Sequence, residues 1–86
     1  MKHAGPNTLK TLAPVLRQLR KRRLLVEKRP GAFYLRSKAF LHFHEDPAGI
    51  FADVKEEILT FKRYRARTSR EQKKLLCRVD QCLNKR

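Results

Sequence analysis

Acidic side chains are scarce in this sequence: eight Asp and Glu stand against 22 Lys and Arg in 86 residues, a formal net charge of +14. A folded domain with so few compensating carboxylates repels itself unless a polyanion or an acidic surface supplies the counter-charge. Solubility alone needs a net charge of only about 2 to 8 in a small domain. Long apolar runs are also missing. No stretch approaches the ~18 residues that cross a bilayer, and the opening Met1-Lys2-His3-Ala4-Gly5-Pro6 has no apolar segment of the secretion type. The expectation is a cytoplasmic protein without a membrane partner. Cysteine is limited to Cys77 and Cys82, five apart in a segment of helical pattern, which sets them about 140° apart around the axis and argues against a mutual disulfide. There is no C-x-x-C and no Cys/His quartet, which disfavours a structural zinc site. No catalytic or cofactor signature stands out, so a non-enzymatic protein with no cofactor is expected.

What is present is unevenly placed. Residues 1–30 hold nine Lys or Arg and one acid, residues 31–60 three and five, and residues 61–86 ten and two, giving local net charges of +8, −2 and +8. The length allows one small domain. The reading divides the chain into a flexible N-terminus, residues 1–10, and a single α+β domain, residues 11–86.

Leu12, Val15, Leu16 and Leu19 recur at helical spacing. Because proline is harmless only in the first turn, Thr11 is the expected N-cap, with Pro14 third in a helix running to about Arg22. A strand at 24–28, the turn Arg29-Pro30-Gly31 and a strand at 32–35 follow. The segment 38–45 alternates Ala39, Leu41 and Phe43 with Phe40, His42 and His44, the best strand pattern in the chain. Asp46-Pro47-Ala48-Gly49 is a type I turn signal and leads to a strand at 50–54, forming an antiparallel hairpin. Lys55-Glu56-Glu57 reads as a solvated connection, and 58–67 as mostly extended. A capping box of Thr68 with Glu71, or Ser69 with Gln72, opens the final helix, in which Leu75, Leu76, Val79, Cys82 and Leu83 keep one stripe. The predicted fold is an α+β two-layer sandwich: N-terminal helix, four- to five-stranded antiparallel meander and C-terminal helix, with both helices on one side of the sheet.

Two basic runs, Arg17-x-x-Arg20-Lys21-Arg22-Arg23 and Lys62-Arg63-x-Arg65-x-Arg67-x-x-Arg70, suit phosphate contacts. The expected partner is nucleic acid (DNA or RNA) or another polyanion, held through Arg17, Arg20, Lys21, Arg63, Arg65, Arg67, Lys73 and Lys74. No groove-reading motif is visible, so contact would follow phosphate rather than base identity. The sheet-type RNA-binding signature is missing as well, and most aromatic rings are expected inside; Tyr34, Phe40 and Phe51 have the parity to lie outside.

A second reading is a protein-interaction module, such as a homodimer, that pairs edge strands or uses the exposed sheet face. A third is a metal or hydrolytic site at His42, His44 and Asp46. Alternation puts both imidazoles on one face about 7 Å apart, and Asp53 across the hairpin is a further possible ligand. The plain alternative is a pair of half-exposed histidines on a solvated strand face.

Arg29-Pro30-Gly31-Ala32-Phe33-Tyr34 followed by Ser37-Lys38-Ala39-Phe40-Leu41-His42-Phe43-His44 resembles the middle of small bacterial proteins and is similar to the MmcQ/YjbR-like group, in which a proline-glycine turn precedes a meander. The resemblance covers residues 24–55. It implies a sandwich of frataxin-like or DNA-binding double-wing type, and it brings no activity and no site residue with it. This chain is more basic than that group's members.

Overall fold

The computed structural model describes residues 2–57 and 60–85. Its elements run β1 Lys2–His3, α1 Pro6–Arg20, β2 Leu25–Arg29, β3 Ala32–Leu35, β4 Lys38–Asp46, β5 Gly49–Glu57, β6 Thr60–Arg65 and α2 Ser69–Asn84. The sheet is antiparallel with order β2-β3-β4-β5-β6, a simple meander, and β1 pairs with the far end of β4. This is the α+β arrangement of helix, five-stranded meander and helix that the sequence pattern predicts.

Both helices lie on one face of the sheet. Leu12, Val15, Leu16 and Leu19 of α1 and Leu75, Val79 and Cys82 of α2 form one cluster with Phe33, Leu41, Phe43, Ala52 and Val54. Strand alternation explains which strand residues join it, because Leu41 and Phe43 point one way and His42 and His44 the other. One irregularity breaks the count: the β3–β4 register shifts between Phe33 and Tyr34, so that Phe33 pairs Leu41 while Tyr34 pairs Ala39. The extra residue is Phe40, and it is buried in the core, not on the outer face where simple parity allows it.

The first helix departs most from expectation. Residues expected to fray carry β1 and the first turn of α1, and the helix begins at Pro6, not after Thr11. Gly5 is the N-cap and offers no side chain, while Pro6 occupies the early position in which a missing N–H is harmless. The cap comes instead from β4: the Glu45 carboxylate accepts from the Gly5 N–H at 2.9 Å and from the Thr8 hydroxyl. Pro14 therefore sits inside the helix. That position costs about 3 kcal/mol in an isolated helix, and it is held here by the burial of Leu12, Val15, Leu16 and Leu19. One turn away, the Thr11 carbonyl accepts from Gln72 Nε2 at 3.1 Å. The buried Gln72 amide also donates to the Ala66 carbonyl at 3.0 Å, fastening the start of α2 to α1.

The second helix begins as expected. Thr68 is its N-cap; its hydroxyl accepts from Glu71 N–H at 3.1 Å, and the Glu71 carboxylate accepts from Thr68 N–H at 3.1 Å. Cys77 and Cys82 are free thiols. Lys55-Glu56-Glu57 extends β5 and is not a connection. The expected strand at 58–67 is seen as Thr60–Arg65; Ile58 and Leu59 lie outside the described residues. Among the described residues, no helix is long and apolar enough to cross a membrane.

Candidate nucleic-acid interface

The face of the sheet turned away from the helices carries two cross-strand rows. Pairing aligns Ala32, His42, Asp53 and Arg63 in one, and His3, His44, Phe51 and Arg65 in the next. Partners opposite each other in an antiparallel sheet share a face, so these side chains meet on the surface that neither helix covers. Ala32 and Phe51 are buried yet stand apart from the main core cluster, which marks a second, small packing layer.

The cover of that layer is cationic. The Arg63 and Arg65 guanidinium carbons lie 5.5 and 5.7 Å from the centre of the Phe51 ring. Lys55 Nζ is 6.0 Å from the Phe61 ring centre, and Lys28 Nζ is 4.6 Å from that of Tyr34. Phe61 is 42% exposed, a large apolar ring open to solvent beside Lys55. Ring and guanidinium faces of this kind attract each other and present flat surfaces to a further planar group.

At the centre of the face Asp53 joins three basic groups. Its Oδ1 accepts from Arg63 Nε at 3.2 Å. Its Oδ2 lies 3.5 Å from His42 Nε2 and 3.2 Å from His44 Nε2. The two imidazole centres are 5.6 Å apart, closer than an ideal strand spacing, and the His44 ring stacks at 23° on Phe51. His44 is only 3% exposed. Neither of its ring nitrogens makes an aligned hydrogen bond, the close approach to Asp53 included. Burial lowers the pKa of His42, against the opposing pull of Asp53. Asp46, which follows the two histidines in sequence, is held elsewhere: its carboxylate accepts from Ala48 N–H at 2.8 Å and shapes the β4–β5 turn. The acid that joins the histidines is Asp53, across the hairpin.

The eight cations expected to meet a polyanion do not gather on one face. Arg63 and Arg65 lie on the outer sheet face. Lys74 stands beside Lys62, Arg63 and Arg65 at the β6–α2 edge. Arg17 and Lys73 line a groove between the two helices, with Gln18 and Ser69. Lys21 is beside Arg22, Arg23 and Asp80 at the other end of the helix pair, and Arg67 is exposed just before α2. Arg20 pairs with Glu27 at 2.6 Å. The described acids are largely committed internally: Glu27 to Arg20, Asp53 to Arg63, Glu56 to Arg78, Asp80 to Arg22, and Glu45 and Glu71 to helix starts. Arg17, Lys21, Arg65, Arg67, Lys73 and Lys74 are exposed, and no carboxylate lies within ion-pair distance of them among the described residues.

Sequence reasoning took Phe61 as an anchor of the strand, whereas its ring is exposed, and it did not foresee the stacking of Arg65 over Phe51. The signal that could have found them is alternation in Phe61, Arg63 and Arg65, which puts all three on one face of β6. Comparison with protein-family models, with curated proteins and with solved structures finds no match.

Proposed function

We propose that the protein binds single-stranded nucleic acid without strong sequence preference, and that the outer sheet face is the contact surface. The observation that carries this reading is the coincidence, on a face neither helix covers, of the exposed Phe61 ring with Lys28, Lys55, Arg63 and Arg65. Unpaired bases stack on aromatic rings and on guanidinium planes, while their phosphates need cations within reach. The excess charge supports the same reading, because the carboxylates that could neutralise it are largely used up inside the fold. Lys62 and Lys74 add further cations at the β6–α2 edge, beside Arg63 and Arg65. Arg17 and Lys73, on the helix side, add to the long-range attraction and do not touch the bound strand.

The test is fluorescence anisotropy of a labelled oligonucleotide of about 15 nucleotides, a length suited to a small binding face, across a salt series. Affinity falls as salt rises, with a logarithmic slope near 0.7 for each phosphate contacted. Arg65→Ala removes about one such increment. Phe61→Ala weakens binding by about 1–3 kcal/mol, the usual worth of one stacked base, and leaves the slope unchanged. Retention that is weak or independent of salt, or that ignores both substitutions, removes the proposal.

A further inference from the structure

The His42, His44 and Asp53 cluster has a geometry that the nucleic-acid reading does not use. Zinc bonds to imidazole nitrogen and carboxylate oxygen are about 2.0–2.2 Å long, and a tetrahedral arrangement then separates neighbouring donor atoms by about 3.3–3.5 Å. The two edges, 3.2 Å from His44 Nε2 and 3.5 Å from His42 Nε2 to the same Asp53 oxygen, bracket that spacing. The three donor atoms all lie within 4.8 Å of one another. The His42 side chain is 41% exposed, so its ring can rotate to bring the remaining edge in.

A second observation points the same way. His44 is nearly fully buried, and neither ring nitrogen has an aligned hydrogen-bond partner. An unsatisfied buried polar atom is costly, and a metal bond at Nε2 would satisfy one of the two ring nitrogens. Asp53 is also oriented as a ligand would be: Arg63 holds Oδ1 and leaves Oδ2 turned to the two imidazoles. The donor set of two imidazoles and one carboxylate suits zinc and its neighbours among the divalent transition metals, not calcium or magnesium.

We infer that His42, His44 and Asp53 bind one zinc-class divalent ion on the outer sheet face, with Arg63 as the positioning residue behind Asp53. Three protein ligands leave a fourth position for water, open on the side of the half-exposed His42. The ion adds positive charge to the middle of the face.

The test needs no nucleic acid, so its outcome is separate from that of the binding proposal. Chelator-treated protein is titrated with Zn²⁺ at pH 7 in competition with a chromophoric chelator, and with Co²⁺ by visible absorption. One ion per chain is expected, with the intense absorption of four-coordinate Co²⁺. Nitrogen NMR of the wild-type imidazoles should show both Nε2 signals moved by Zn²⁺, a readout that survives if a variant folds poorly. His42→Ala and Asp53→Asn should each weaken binding more than the 10- to 100-fold that loss of an outer-shell partner costs, and Arg63→Ala should fall within that range. Absence of stoichiometric binding at micromolar metal overturns the inference. So does binding that both ligand variants retain but Cys77→Ser abolishes.

Discussion

The two faces of β4 come from one alternating run and meet different surroundings. Leu41 and Phe43 face the helices, each 1% exposed, in one cluster with side chains from α1, β2, β3, β5 and α2. His42 and His44 face outward, where no helix lies; the His44 ring stacks on Phe51 and approaches Asp53, and Arg63 and Arg65 lie over the Phe51 ring. The inner face accounts for the existence of the fold. The outer face has spent buried area on an imidazole that makes no aligned hydrogen bond, which a sequence selected for stability alone would replace with an apolar residue. Local departures of this kind from the rules of good packing mark places where a fold carries something besides itself.

The sharpest way to break the comparison is to delete one ring on each side. Phe43 is 1% exposed, and Phe43→Ala should cost about 3–5 kcal/mol, the usual effect of losing a buried phenyl ring. Urea denaturation should show it as a large fall in midpoint. Phe61→Ala, on the exposed part of the outer face, should change stability by no more than about 0.5 kcal/mol, and its effect should appear in oligonucleotide binding. If the two substitutions destabilise equally, the outer face is core and the division fails.

A carboxylate on each side sharpens the same contrast. Glu56 ties the sheet to α2, accepting from Arg78 Nε and Nη2 at 2.9 Å each and from the Tyr64 hydroxyl. The Arg78 hydrogen bonds, aided by that of Tyr64, hold its carboxyl down to about 2, against a burial effect that pushes the other way. A group held below its ordinary value of 4.5 stabilises the fold fully above that pH and loses the contribution as pH falls towards 2. Glu56→Gln should therefore lower the melting temperature by several degrees at pH 7, and the gap from wild type should close between about pH 4.5 and pH 2. Asp53→Asn on the outer face should act chiefly on metal binding. A gap for Glu56→Gln that stays constant with pH would remove Glu56 as the tie.

The physical reasons for what the sequence disclosed follow the range of each interaction. The β4–β5 hairpin was legible because Asp46-Pro47-Ala48-Gly49 is a local turn, and a known turn places Asp53 opposite His42. The capping box at Thr68 was legible for the same reason. The start of α1 was hidden because its cap, Glu45, lies 40 residues away from Gly5 in sequence. Phe40 was misplaced because a register shift adds one residue to β4 and inverts the parity count. Lys55-Glu56-Glu57 read as a loop because its charges look solvated in isolation, whereas Glu56 is paired with an arginine 22 residues on. The cation–aromatic cover of the outer face depends on how β6 aligns with β5, and that pairing contains its own irregularity between Lys55 and Glu57. Charge composition pointed to a polyanion. It gave no means of separating the cations of the sheet face from those of the helix side.

Register is what keeps the two faces distinct, since a slip of one residue in β4 exchanges them. The β3–β4 turn that sets it is made from unsuited residues: Arg36 and Ser37 have φ of 53° and 68°, the left-handed region in which glycine and asparagine are at ease. A non-glycine residue there costs about 1 kcal/mol. Ser37→Gly should relieve most of that strain while loosening the unfolded chain, for a net gain of about 0.5 kcal/mol, visible as a rise of a few degrees in melting temperature. Because the substitution steadies both faces in the same register, Zn²⁺ and oligonucleotide affinities should not move. A gain in stability accompanied by a loss of either affinity would mean that the strained turn serves the outer face, and that the two faces of β4 are coupled through it.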